Sequence, residues 1–361
     1  MRVAGVDRRT IRRDGRRVFI IDQARLPFEL REVELDDVAQ AVQAIRSMQV
    51  RGAPLIGATA AYGMALAMQS DPADAQLERA GALLGATRPT AVNLQWALSR
   101  MVARLRPLAP AARANAAWQE ADRIAEEDVA LNRAIGRHGL ALLQSIAETK
   151  GRVNVLTHCN AGWLATVDVG TALAPVYAAH DAGLDVHVWV DETRPRNQGL
   201  LTAWELSQHG VANTLVADNA GGHLMQHGKV DVVIVGADRV SENGDVCNKI
   251  GTYLKALAAR DCGVPFYAAV PSPTIDWDIR DALREIPIEE RDAAELLQVK
   301  GRDGQGKAAM VDIGVPGSGA ANPAFDVTPA KLVTGLITDR GVVAATAAAL
   351  ATIRPMREAA A

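Results

Sequence analysis

The chain has 361 residues, of which 49% are apolar and 22% charged, with 39 basic side chains against 42 acidic ones. That is an ordinary soluble mixture, long enough for two hydrophobic cores. A net charge of −3 provides no global basic field for nucleic acid.

The basic charge is local. Arginines stand at 2, 8, 9, 12, 13, 16 and 17, against Asp7 and Asp14. Those acids and the missing serines argue against a transit peptide, whereas Asp14-Gly15 predicts the turn of a solvated strand pair. From about 35 to 150 the periodicity is helical, with Val38, Val42 and Ile45 on one face. The run 54–68 is rich in Gly and Ala and shorter than the roughly 20 residues a bilayer needs, so it predicts a buried core helix. Helices are also predicted over 89–105 and 112–150, the last closed by Gly151.

After 151 the rhythm changes. Val-rich segments at 152–158, 185–192, 213–219, 229–238 and 264–271 predict strands, with helical stretches between them. Apolar strands alternating with helices predict an α/β architecture, a doubly wound parallel sheet covered on both faces. The expected division is therefore a mostly helical domain over 1–150 and an α/β domain over 151–361. The Gly-rich stretch 300–323 predicts an irregular surface loop. Cys159, Cys247 and Cys262 form no even framework and no CxxC pair, so no structural disulfide is expected and a reducing cytosol fits.

In open parallel sheets, ligands bind beyond the carboxyl ends of the strands. The residues there are Cys159-Asn160, Asp191-Glu192-Thr193, Asp218-Asn219, Asp238-Arg239 and Pro271-Ser272. Asp218 and Asn219 are expected to cap the next helix. Asp238 leaves a buried strand for a desolvated crevice, where its carboxyl can stay protonated as a general acid, with Arg239 opposing that shift. Cys159 reads equally as a buried small residue or as a thiol activated by a following helix N-terminus. Two anion-binding pieces are Asn248-Lys249, expected at a helix start, and Arg51-Gly52 before Pro54.

Three other patterns fail. The stretch 301–308 resembles a phosphate loop, but Ala308 replaces the hydroxyl that would hold magnesium. The 317–322 segment lacks the third small residue of a dinucleotide fingerprint. His223 and His227 have helical spacing but no third metal ligand, so they are expected to face solvent.

The motifs at 51–63, 88–101, 156–162, 191–199, 236–253, 286–291 and 322–330 together resemble the methylthioribose-1-phosphate isomerases, which share their fold with the regulatory subunits of translation initiation factor 2B. The resemblance covers essentially the whole chain and implies a Rossmann-like catalytic domain, a cytoplasmic homodimer and no cofactor or metal. It implies that Cys159 assists the isomerisation and that Asp238 is the catalytic acid. It further implies that Arg51, Gly52, Ala53, Arg88, Gln198, Asn248 and Lys249 bind a sugar 1-phosphate. This sequence departs from the family at Trp163, at a segment one residue shorter after Gln198-Gly199, and at 270–273. Trp163 is read as a core aromatic or as a wall reshaping the pocket for another 5-substituent. The alternatives are 5-deoxyribose 1-phosphate, ribose 1,5-bisphosphate, or a non-catalytic regulatory role.

Overall fold

The computed structural model describes residues 1–88 and 91–354. The first residues of the predicted 89–105 helix, and the end of the 151–361 stretch, lie outside the described residues.

Arg12, Arg13, Arg16 and Arg17 sit on the expected hairpin, strands Ile11–Asp14 and Arg17–Ile21, and Gly15 at φ 63° turns the chain one residue later than expected. A third strand, Glu32–Leu35, pairs beside them. Asp37 then caps the helix Val38–Arg46 by accepting from the Gln40 amide at 2.8 Å. The helix Ala53–Ser70 is buried on every side from Leu55 to Met68, because its apolar residues leave no polar face to turn outward. Helices 38–46, 74–85, 92–105 and 110–150 pack around it.

The helix Pro110–Lys150 runs 41 residues and stops where Gly151 adopts φ 75°. Ala117, Ala121 and Ile124 on its first half join the N-terminal core, while Ile135 and Leu143 join the core of the following sheet. One rigid element thus belongs to both cores.

The central sheet has seven strands: β1 (Val153–Thr157), β2 (Val186–Asp191), β3 (Ala212–Val216), β4 (Val232–Val235), β5 (Phe266–Ala269), β6 (Gly335–Thr338) and β7 (Gly341–Val343). Their spatial order is 3-2-1-4-5-6-7, all parallel except β7. The five predicted strands are present, and β6 and β7 are additional. The order reverses between β1 and β4, the switch point of a doubly wound sheet.

Two features differ from the expectation. A second, four-stranded sheet runs Ile275–Asp276, Arg239–Ser241, Val246–Lys249, Phe325–Thr328. Asn248 and Lys249 therefore end a strand rather than open a helix. The stretch expected as an irregular loop contains an antiparallel hairpin, Gln298–Arg302 with Ala308–Asp312. The phosphate-loop resemblance at 301–308 is the turn of that hairpin, with Asp303 accepting from the Gln305 and Lys307 amides at 2.9 Å each. All three cysteines are free, and no described helix is long and apolar enough to cross a membrane.

Helix 110–150 approaches helix Ala174–Asp181 so closely that a Cβ on Gly139 would lie 2.3 Å from Pro175 Cγ. Gly81, inside another helix, has open space around it. Ala is favoured over Gly in a helix by about 1 kcal/mol, but overpacking costs about 1–3 kcal/mol. Calorimetry is expected to show a lower thermal midpoint for Gly139→Ala and an unchanged or higher one for Gly81→Ala.

Candidate active site

Cys159 follows β1 and Asp238 follows β4, the two strands that flank the switch point. Arg51, Gly52, Ala53, Arg88, Cys159, Gln198, Asp238, Asn248 and Lys249 all line one cavity there. Met48, Asn160, Thr166, Thr171, Pro271, Thr274 and Phe325 line it as well. Asn160 and Pro271 belonged to the predicted rim; the others carried no local signal, since they reach the cavity only by folding.

Cys159 adopts φ 67°, a left-handed conformation that is uncommon outside glycine. Its amide donates to Thr193 Oγ1 at 2.8 Å, and its carbonyl accepts from Thr202 Oγ1 at 2.8 Å. Only a short turn, Trp163–Ala165, follows it, and the next α-helix begins at Ala174. The expected activation by a helix N-terminus is therefore absent. Desolvation pushes the thiol pKa up, and the Arg51 and Lys249 charges pull it down without cancelling that rise.

Asp238 shows the same balance. Desolvation raises its carboxyl pKa against Lys249, Arg88 and Arg51. Arg239, expected to oppose the shift, instead lies 3.6 Å from Asp276. Lys249 is pushed down by desolvation and held up by Cys159 and Asp238. Cys159 and Asp238 thus share one desolvated space with the cations Arg51, Arg88 and Lys249, and opposite charges across it limit one another's shifts.

The cations are held by specific partners. Arg51 donates to both the side-chain and backbone oxygens of Asn160, the latter at 2.7 Å. Gly52 at φ 89° packs on Ala165, whose oxygen would lie 2.3 Å from a Cβ. Arg88 lies 3.3 Å from Glu289, and its buried Nε lacks a partner among the described residues. Gln198 is 8% exposed, and its Oε1 lacks a partner among the described residues. Asn248 donates to Thr252 Oγ1 at 3.0 Å. The N-terminus of helix Thr252–Asp261 is not open to an anion, because Asp326 accepts from the Gly251 and Tyr253 amides at 2.7 and 3.1 Å.

Several other expectations resolve plainly. Asp218 does not cap the next helix; it accepts from the Thr193 and Arg194 amides at 2.8 and 2.7 Å and so shapes the loop after β2. Asn219 makes no side-chain cap either. Trp163 is 0% exposed, packs near Trp204 and does not line the cavity, so it is a core aromatic. His223 and His227 are exposed. His158, Asp191 and Asp218 bring their ligand atoms within 4.8 Å of one another. Lys255 Nζ, however, lies 3.2 Å from Asp191 and donates to the Asp218 carbonyl, so an ammonium already compensates that cluster.

The fold and this cavity define a class. The chain belongs to the Initiation factor 2 subunit family, which it matches over residues 49–345, and within it aligns along its whole length with the methylthioribose-1-phosphate isomerases. The methylthioribose-1-phosphate isomerase of Rhodospirillum rubrum is 62% identical over 367 aligned residues, covering 99% of this chain and 94% of that protein. A solved 5-methylthioribose 1-phosphate isomerase from Pyrococcus horikoshii is 42% identical, with a TM-score of 0.81 over 96% of this chain and 95% of that one. A structure described as translation initiation factor eIF-2B, subunit delta, from A. fulgidus is 41% identical, with a TM-score of 0.79 over 94% of this chain and 96% of that one.

Beneath the Cys159 turn, Glu205 is fully buried, accepts from the Leu164 amide at 3.1 Å, and is pushed up to about 7 by burial. A raised pKa means the native state binds more protons than the unfolded chain. Its contribution is full below the ordinary value near ~4.3 and is lost as pH rises through the native one. Glu205→Gln, which keeps an acceptor for Leu164, is expected to raise the thermal midpoint at pH 8 and not at pH 4, measured by calorimetry.

Proposed function

We infer that this protein is an aldose–ketose isomerase converting 5-methylthioribose 1-phosphate into 5-methylthioribulose 1-phosphate, a step of methionine salvage. The observation that carries the assignment of residues is the convergence of Cys159 and Asp238 with Arg51, Arg88 and Lys249 in one cavity at the switch point.

A sugar 1-phosphate is a locked acetal and cannot open its ring as a free aldose does. Asp238, whose carboxyl is raised toward the protonated form, donates a proton to the ring oxygen as the bond from that oxygen to C1 breaks. C1 becomes electron-deficient, and the hydrogen on C2 moves to it with its electron pair. The 2-hydroxyl then gives its proton back to the Asp238 carboxylate and becomes the ketone. Atoms and electrons balance within the substrate, so the reaction needs no redox partner. The raised thiol of Cys159 favours this hydride route over one in which a resting thiolate removes the C2 proton. Here the neutral thiol forms part of the wall that keeps water from the electron-deficient carbon. Arg51, Arg88 and Lys249 supply charge for the phosphate, while Gln198 and Asn248 supply neutral polar contacts. Gly52 and Ala53 let the ligand lie against the chain.

The same reading includes a cytoplasmic homodimer and a division into two domains at 150/151. Its competitors are a preference for 5-deoxyribose 1-phosphate or ribose 1,5-bisphosphate, and a non-catalytic regulatory role. Phosphorus NMR of the protein with each sugar phosphate separates them: the fastest ketose 1-phosphate formation is expected from the methylthio substrate, and none from any substrate would sink the enzyme reading. Asp238→Asn is expected to lower kcat by about 10²–10⁴-fold with binding nearly intact. In D₂O the product is expected to carry no solvent deuterium at C1; wash-in there would establish the proton route instead.

A further inference from the structure

One buried array remains outside this chemistry. His158, 1% exposed, immediately precedes Cys159; its Nδ1 lies 3.0 Å from Asp191 Oδ2 and its Nε2 lies 2.8 Å from the Ile250 carbonyl oxygen. A carbonyl oxygen only accepts, so Nε2 carries a proton. Asp191 Oδ2 also lies 3.2 Å from the Lys255 ammonium, so the ring and the ammonium meet at one carboxylate oxygen. The ring is therefore bonded at both nitrogens. Asp191 and Asp218, whose Oδ1 is 3.9 Å from Nδ1, face it with negative charge.

These two bonds join three backbone segments that reach the cavity. One is the end of β1, carrying Cys159. Another is the end of β2, from which the chain runs to Gln198. The last is Ile250, directly after Asn248 and Lys249. The ring is enclosed and fills the space that a side chain at 251 would need, since a Cβ on Gly251 would come within 3.1 Å of His158 Cε1.

We propose that His158 is a positioning residue that sets the placement of the Cys159 thiol and the Lys249 ammonium across the cavity. Its planar ring, bonded at both ends, ties the paired ends of β1 and β2 to the Ile250 segment, to which the sheet pairing does not extend. A misplacement of about 1 Å in such a site costs about 10²-fold in rate.

Two substitutions separate the bonds, since an asparagine amide nitrogen falls near the place of Nδ1 and a glutamine one near that of Nε2. His158→Asn keeps Asp191 and releases Ile250. It is expected to raise KM about tenfold while alkylation of Cys159 by iodoacetamide, read by peptide mass, stays within about twofold of wild type. His158→Gln keeps Ile250 and releases Asp191, and is expected to lower kcat about 10–100-fold and change the alkylation rate more than about fivefold, with KM near wild type. Wild-type behaviour in both variants overturns the proposal. So do equal losses in both that track a fall in thermal midpoint, since a merely structural role predicts that. Should neither variant fold, nitrogen-15 NMR of histidine-labelled wild-type protein decides: a ring proton on Nε2 of His158 supports the array, and a bare Nε2 overturns it. The kinetic arm rests on the isomerase reading. The alkylation and NMR arms need no turnover, so failure of that reading, seen as no product from any sugar phosphate, is a separate result.

Discussion

The rest of the molecule depends on the reversal of strand order between β1 and β4. Right-handed crossovers carry β2 and β3 to one side of β1 and β4, β5 and β6 to the other. The connections leaving β1 and β4 therefore part, and a crevice opens at their carboxyl ends. Cys159 and Asp238 come from different strands some eighty positions apart, yet both fall into that crevice. Loop 191–199, the second sheet, and the start of helix 53–70 close it from the remaining sides.

Closing the crevice has an electrostatic consequence. Arg51, Cys159, Asp238 and Lys249 are each pushed toward the neutral form by desolvation; the two cations are held back by Cys159 and Asp238, and those two by the cations. Removing one charge would leave its neighbours less compensated, so the site behaves as a unit rather than as separate residues.

Helix Gly199–His209 supplies the mechanical counterpart. From its first turns Thr202 holds the Cys159 carbonyl, while Glu205 holds the Leu164 amide. Thr202 Oγ1 also accepts from Asn160, which in turn fixes Arg51. The left-handed Cys159 backbone is thus fixed from both sides, as an uncommon conformation must be to persist. Gln198 stands just before the same helix.

The parallel sheet, the long helix and the rim at the strand ends were legible in the sequence, because apolar spacing and the terminating Gly151 are local signals. Cys159 and Asp238 were legible as strand-end residues, and Arg51 as the residue before a Pro-containing first turn. Other features follow from contacts between distant segments. Asn248 and Lys249 read as a helix start, but pairing with 239–241 and 325–328 makes them a strand. Arg239 lies beside Asp238 in sequence and faces Asp276 in space. Trp163 was open between pocket and core until the packing around it was known. His158 carried no local mark beyond its place next to Cys159, since its partners are a carboxylate on β2 and a carbonyl after the second sheet. The sequence by itself determined which segments form strands and helices, and which reactive side chains end them, because periodicity and termination act over a few residues. Only the tertiary structure decided which of those side chains face one another and which protons they hold, because burial and charge pairing depend on neighbours brought from far along the chain.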